Sequence, residues 1–172
     1  QKKKHRQLPP LLYDLTSLQQ DANKRYQYSA KQTLNIMQRL YENHKVLTYP
    51  RTDSRYITKD VLETLKERLQ AINIGSYKTF VGPLFKTPLK GNKSFVNDEK
   101  VTDHHAIIPT EQFVRLDHMT TDEKRIYDLV IRRFLSVLYP AYEYEQTTIM
   151  LKIEDELFTA KGIQVLDFGW KK

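Results

Sequence analysis

Between Val137 and Tyr144 the hydrophobic repeat of this chain changes from the period of a helix to that of a strand. Upstream, Ile126, Leu129, Val130, Phe134 and Val137 recur at three- and four-residue steps, which puts them on one side of a helix starting near Thr121 and ending at Pro140. Downstream, Thr147, Ile149, Leu151 and Ile153 alternate with Thr148, Met150 and Lys152, the two-residue period of an extended strand. Glu154-Asp155-Glu156 then reads as a turn into Leu157-Phe158-Thr159-Ala160, with Ile163, Val165 and Leu166 prolonging the second arm. Helices followed by a hairpin in one chain point to an α+β fold, mainly helical, with its strands gathered at one end.

Earlier segments extend the helical part. Asp14 or Thr16 is placed to cap a helix through Tyr26 with Leu15, Leu18 and Ala22 on its apolar stripe. Ser29 caps a second, whose stripe is Leu34, Met37, Leu40 and Tyr41 and whose end falls near Asn43-His44. Val46-Leu47-Thr48 reads as a short strand, and Thr58 opens a helix carrying Val61, Leu62, Leu65 and Leu69. From Gly75 to Lys100, Gly82-Pro83, Pro88, Gly91-Asn92 and Asn97-Asp98 predict a long loop with little regular structure. Helix, helix and short strand over residues 14–49 is an order that a winged-helix or helix-turn-helix module also has. The organisation expected is a basic arm over 1–10, a helical domain over 11–142 and a partial β-rich domain over 143–172. A chain that stops at Trp170-Lys171-Lys172, still in strand pattern, is expected to be part of a larger domain.

The chain's 172 residues can bury a substantial core, and 40% of them are hydrophobic. Its net charge of +7 suits a polyanionic partner, but four of those charges come from Lys2, Lys3, Lys4 and Arg6, in an arm expected to be solvated. The absence of cysteine removes disulfides, thiolate metal sites and thiol nucleophiles, and it fits a reducing cytoplasm. No apolar run reaches the roughly 18 residues of a membrane span.

Chemistry concentrates in the octet Thr48-Tyr49-Pro50-Arg51-Thr52-Asp53-Ser54-Arg55. A tyrosine hydroxyl can attack a phosphodiester, but with an ordinary pKa near ~10 it needs cations or hydrogen-bond donors beside it. In an extended segment Tyr49 and Arg51 share a face, Pro50 fixes the bend between them, and Thr52 and Ser54 add hydroxyls. Asp53 is suited to organising Arg51 or Tyr49, and Arg55 to contacting a backbone phosphate. Most tyrosines simply pack their rings, and the chain has 11 of them.

Two further groups stand out. Asp103-His104-His105-Ala106-Ile107-Ile108-Pro109-Thr110 places two histidines before an apolar run, and because neighbours on a strand face opposite ways, only one of the two is expected at a site shared with Tyr49. Gln38-Arg39-Leu40-Tyr41-Glu42 sets Gln38 and Glu42 one helical turn apart.

Taken together, the octet running into Tyr56, the His104 segment, the Gln38 segment, Leu12-Tyr13-Asp14-Leu15 and the closing strands resemble the type IA DNA topoisomerases, in particular their topoisomerase III branch. The resemblance implies a winged-helix-like (CAP-like) catalytic domain followed by strands of the family's arch domain. It implies that Tyr49 is the nucleophile towards single-stranded DNA, joined to the 5′ phosphate, with Arg51 stabilising phosphoryl charge and His104 contacting the scissile phosphate. Gln38, Glu42, Thr48, Thr52, Asp53, Ser54, Arg55 and His105 are implied as DNA-binding or supporting residues. Glu42 stands seven residues before Tyr49, where some branches of the family have about one fewer. Magnesium is expected in the parent enzyme, on a carboxylate cluster of a separate Toprim domain. No Asp-x-Asp-x-x-Glu run occurs here, so no metal or other cofactor is expected in this chain. The partners expected are single-stranded DNA and the parent's remaining domains, with no membrane; the location expected is cytoplasmic, with the nucleoid if the source is bacterial.

Two other readings compete. One is a winged-helix DNA-binding module without catalysis, in which Tyr49 is packed. The other is a tyrosine relaxase, which needs a His-hydrophobic-His metal pair that the adjacent His104 and His105 do not form.

Overall fold

The computed structural model describes residues 2–86, 94–139, 142–153 and 156–167. Pro88, Gly91-Asn92, Pro140, Glu154-Asp155 and Trp170-Lys171-Lys172, each assigned a place above, lie outside the described residues. The backbone separates into a unit over residues 11–138 and a second over 1–10 and 139–172.

The second unit is a three-stranded antiparallel sheet in the order β1 (Lys2–Gln7), β2 (Tyr142–Ile153), β3 (Glu156–Asp167). β2 and β3 pair from Ile153 opposite Glu156 to Glu143 opposite Asp167, with one register shift between Glu143 and Tyr144. β1 runs along the other edge of β2, Lys2 opposite Thr147 and Gln7 opposite Tyr142. The segment expected as a basic arm is therefore largely strand. Its Lys-rich run has no apolar alternation, and its backbone pairing depends on a partner strand far away in sequence.

The unit over 11–138 is helical. α1 (Leu15–Tyr26) begins with a reciprocal cap in which the Asp14 carboxylate accepts the Ser17 backbone N–H at 2.8 Å and the Ser17 hydroxyl accepts the Asp14 N–H at 3.1 Å. α2 (Ala30–Glu42) is capped by Ser29. Its buried face is Thr33, Ile36, Met37 and Leu40, a spacing of three, four and seven residues, so the core stripe includes Ile36 and leaves Leu34 and Tyr41 half-buried.

The helix expected from Thr58 to Leu69 is two pieces, α3 (Lys59–Leu62) and α4 (Leu65–Ala71). At the break the Thr64 hydroxyl donates to the Val61 carbonyl at 2.6 Å and the Thr64 N–H reaches the same carbonyl, replacing the regular bond four residues back. The stretch expected as an irregular loop is punctuated by short helical turns at Gly75–Tyr77, α5 (Lys78–Val81), Gly82–Lys86 and Asp98–Lys100. α6 (Thr121–Val137) is the longest helix, with Thr120 and Glu123 forming its capping box.

α1, α2 and α6 pack on one another around Leu18, Ala22, Ile36, Met37, Leu40, Ile126, Tyr127, Val130 and Phe134, all nearly inaccessible. Phe134 is 1% exposed, and truncating such a ring costs about 3–5 kcal/mol. Arg133 fixes the chain entering α1: it donates to the Leu11 carbonyl at 2.8 Å, pairs with Asp21 at 3.0 Å and lies over the Tyr13 ring at 4.1 Å.

Candidate active site

The site is built on the two segments that the sequence singles out, laid against each other. The Val46-Leu47-Thr48 stretch, expected as a strand, is reduced to one antiparallel bridge between Leu47 and Pro109. Thr48 N–H donates to the Ile108 carbonyl and Thr110 N–H to the Val46 carbonyl, both at 3.0 Å. The Thr48 hydroxyl accepts the Ile108 N–H at 3.0 Å and donates to the Ala106 carbonyl at 3.3 Å. Ala106 and Ile107 in turn donate to the carbonyls of Tyr56 and Tyr13 at 2.9 Å. The apolar run Ala106-Ile107-Ile108 is buried, so this cross-bonded layer is a rigid floor with the polar residues at its edges.

Tyr49 stands half-buried at one edge, on the wall of an open groove of about 590 Å³. The groove is lined by Tyr41, Glu42 and Lys45 from the end of α2, by Leu47, Thr48 and Tyr49, and by His104 and Thr110 across the floor. The His104 ring stacks on the Tyr49 ring at 4.2 Å between centroids and 29° between planes, and Tyr41 meets Tyr49 edge-on at 5.5 Å. The phenol is thus held in orientation from two sides while the groove keeps it accessible. His104 is exposed, so its imidazole can meet a ligand in the groove without leaving Tyr49.

Of the residues nominated from sequence, Tyr49, His104, Thr48 and Glu42 line this groove, and Gln38, half-buried one turn earlier on α2, is outside its lining. Arg51 is exposed and also outside the lining. The Pro50 carbonyl accepts the Thr52 N–H at 3.0 Å, a tight turn centred on Arg51 that interrupts the extended repeat expected to put Tyr49 and Arg51 on one face. Arg51 and Asp53 form no ion pair or hydrogen bond through their side chains among the described residues, so the organising contact expected of Asp53 is not made here.

The hydroxyls of Thr52 and Ser54 point inwards instead of offering themselves to a ligand. Thr52, 6% exposed, donates to the His104 carbonyl at 3.2 Å, and its backbone carbonyl accepts the Leu15 N–H at 3.0 Å. Ser54, 5% exposed, donates to the Lys100 carbonyl at 2.9 Å. Arg55 turns back to donate to the Leu12 carbonyl at 2.9 Å, so its guanidinium braces the start of α1. His105 points its Nδ1 at the Ala106 carbonyl at 2.7 Å; burial lowers its pKa and favours the neutral ring. These four residues support the floor.

Two features were not legible in the sequence. Glu123, buried on α6, accepts the Thr120 N–H at 2.8 Å, meets His44 Nε2 at 3.1 Å and Arg39 Nε at 3.4 Å, and so ties the start of α6 to the end of α2. Lys45 adopts φ +58°, a left-handed conformation that costs a side-chain-bearing residue about 1 kcal/mol or more. The chain leaves α2 there with His44 N–H on the Arg39 carbonyl and Val46 N–H on the Leu40 carbonyl, while the Lys45 carbonyl accepts the Thr110 hydroxyl at 2.7 Å. Glycine is the usual sequence signal for such a turn, and none stands here.

The other well-buried tyrosines have different surroundings. Burial, then an aspartate partner, raises the pKa of Tyr13 and of Tyr77, and burial raises that of Tyr127, which fixes these phenols in the protonated form.

Comparison with known proteins places these observations in a family context. The family model for DNA topoisomerase matches residues 1–172. DNA topoisomerase 3 of Bacillus cereus is 58% identical over 171 residues, covering 99% of this chain and 24% of the relative. DNA topoisomerase 3 of Bacillus subtilis is 51% identical over 162 residues, covering 94% and 22%. The full-length topoisomerase I structure from Thermotoga maritima superposes with a TM-score of 0.71 at 24% identity, over 99% of this chain and 28% of that one, a likeness of fold. The chain spans about a quarter of the length of the relatives it matches.

Proposed function

The chain belongs to the DNA topoisomerase family and resembles its type IA, topoisomerase III-like members, and from that premise we propose that Tyr49 is the nucleophile of DNA strand cleavage. The observation that carries the reading is Tyr49 itself: half-buried at an open groove, gripped by the His104 face and the Tyr41 edge, on a floor that crosslinks the two motif segments.

The Tyr49 oxygen attacks a phosphodiester of single-stranded DNA, forming a 5′-phosphotyrosine while the bond to the 3′ oxygen breaks. The phenol loses one proton and the departing oxygen gains one, leaving a 3′ hydroxyl that reverses the step. Bond number and charge are conserved, so resealing needs no external energy source. His104 donates a hydrogen bond to the phosphoryl oxygens. Arg51, exposed beyond the groove wall, comes to bear on the same phosphate when the strand lies across the octet. Thr48 fixes the depth of Tyr49, and Glu42 flanks the groove mouth.

Magnesium in this reading belongs to a Toprim domain of the parent enzyme. Glu42 is the carboxylate that this chain brings to the groove lining. The helical unit corresponds to a winged-helix-like catalytic domain and the three strands to part of the arch that carries it, a correspondence supported by α1, α2 and the Leu47–Pro109 bridge and by the strand order. The 172-residue chain alone binds single-stranded DNA weakly and does not relax supercoiled plasmid.

Tyr49→Phe tests this in a chain of the relatives' full length. The reading predicts that covalent DNA adducts disappear while oligonucleotide affinity stays within about twofold, since one hydroxyl is removed and the ring contacts remain. Undiminished adducts would reject Tyr49 as the nucleophile.

A further inference from the structure

We propose that Lys45 is a phosphate-binding residue of the Tyr49 groove, holding a phosphodiester of the strand that Tyr49 attacks. The inference rests on the reading of the groove as a DNA site and adds a cation to it.

Three observations bear on this residue. Its ammonium-bearing side chain lines the same groove as Tyr49 and His104. Its backbone is held at φ +58°, where glycine or asparagine would sit without strain, and the hold is firm because the Thr110 hydroxyl donates to its carbonyl while Val46 bonds on both sides of the turn. Its side chain forms no ion pair or hydrogen bond among the described residues, although the Glu42 carboxylate lines the same groove.

The left-handed turn closes the end of α2 as Gln27 at φ +57° closes α1, so it fixes where the side chain leaves the backbone and does not itself point to a ligand. What points to one is an exposed cation that lines the Tyr49 groove and whose charge no side chain among the described residues uses. The rest of the lining selects the ligand. Tyr41, Tyr49 and His104 offer ring faces and edges, so a cation among them suits a nucleotide strand with its phosphate on Lys45 and its base against the rings. Tyr49 and Lys45 line one groove, so a single strand lying in it meets both side chains.

The test compares Lys45→Gly, Lys45→Arg and Tyr49→Phe in a chain of the relatives' full length, with a single-stranded oligodeoxynucleotide as probe. Lys45→Gly removes the ammonium and relieves the strained turn together, so a loss of affinity in this variant cannot be charged to misfolding if its melting temperature is equal to or above the parent's. The proposal predicts about fivefold weaker binding at low salt and a salt slope shallower by about 0.7, the loss of one phosphate contact on a single strand. Lys45→Arg restores both.

Parental affinity and salt slope in Lys45→Gly would overturn the assignment of Lys45, while loss of adducts in Tyr49→Phe would still stand for the nucleophile. Adducts persisting in Tyr49→Phe would instead remove the reading on which the assignment rests.

Discussion

A phenol that packs against an imidazole face and a second phenol edge has few orientations left, and at Tyr49 this restriction comes with the residue only half-buried. Preorganisation of this kind lowers the entropy lost when a phosphate arrives. His104 supplies the stacked face and, in the proposed mechanism, the hydrogen bond to the phosphate. His104→Ala is therefore expected to slow adduct formation about 100-fold in single-turnover assays on a full-length chain, with oligonucleotide binding changed far less. Loss of binding and rate in equal measure would make His104 a binding residue only.

The octet drew attention through its tyrosine, arginine and hydroxyls and through its resemblance to a family segment, but which of them line the groove was not legible. Thr52, Ser54 and Arg55 satisfy backbone carbonyls of segments far away in sequence, and no local pattern encodes such partners. Lys45 escaped for a different reason: no glycine or asparagine announces its left-handed turn, and one of the bonds that hold it comes from Thr110, 65 positions on.

Among the elements, α1, α2 and α6 were readable because each carries its own cap and its own apolar stripe. The elements that misled were those decided by distant contacts: the break at Thr64, the helical turns after Gly75, and the pairing of β1 with β2. The Glu123 cluster belongs to the same class, since it joins the start of α6 to the end of α2.

Burial of Glu123 pushes its pKa up, but the Thr120 N–H and His44 outweigh burial, and the net shift is downward. A carboxylate with a depressed native pKa adds stability above its unfolded pKa and loses it as pH falls through the native value. Glu123→Gln is accordingly expected to lower stability by about 1–2 kcal/mol at neutral pH. The gap between variant and parent should close below the ordinary carboxylate range near ~4.3. Thermal melts across that range check this, and a gap independent of pH would assign the loss to packing.

At the scale of the molecule, the chain covers about a quarter of its relatives' length and holds the Tyr49 groove and a three-stranded sheet, and the proposed function assigns strand passage to the rest of that length. Magnesium-dependent relaxation of supercoiled plasmid by the 172 residues alone would contradict that division of labour.

The central claim is narrower: one phenolic oxygen forms the bond to DNA. Tyr41, Tyr49 and Tyr56 lie within one short region, and Tyr41 shares the groove, so identifying the bonded residue separates them. Trypsin cuts after Lys45 and Arg51, releasing Val46 to Arg51 with Tyr49 as its single tyrosine. Mass spectrometry of the tryptic digest of a trapped complex, after nuclease trimming, is predicted to find the 5′-phosphonucleotide on that hexapeptide. A nucleotide on the peptide bearing Tyr41, or on the one bearing Tyr56, would contradict the account.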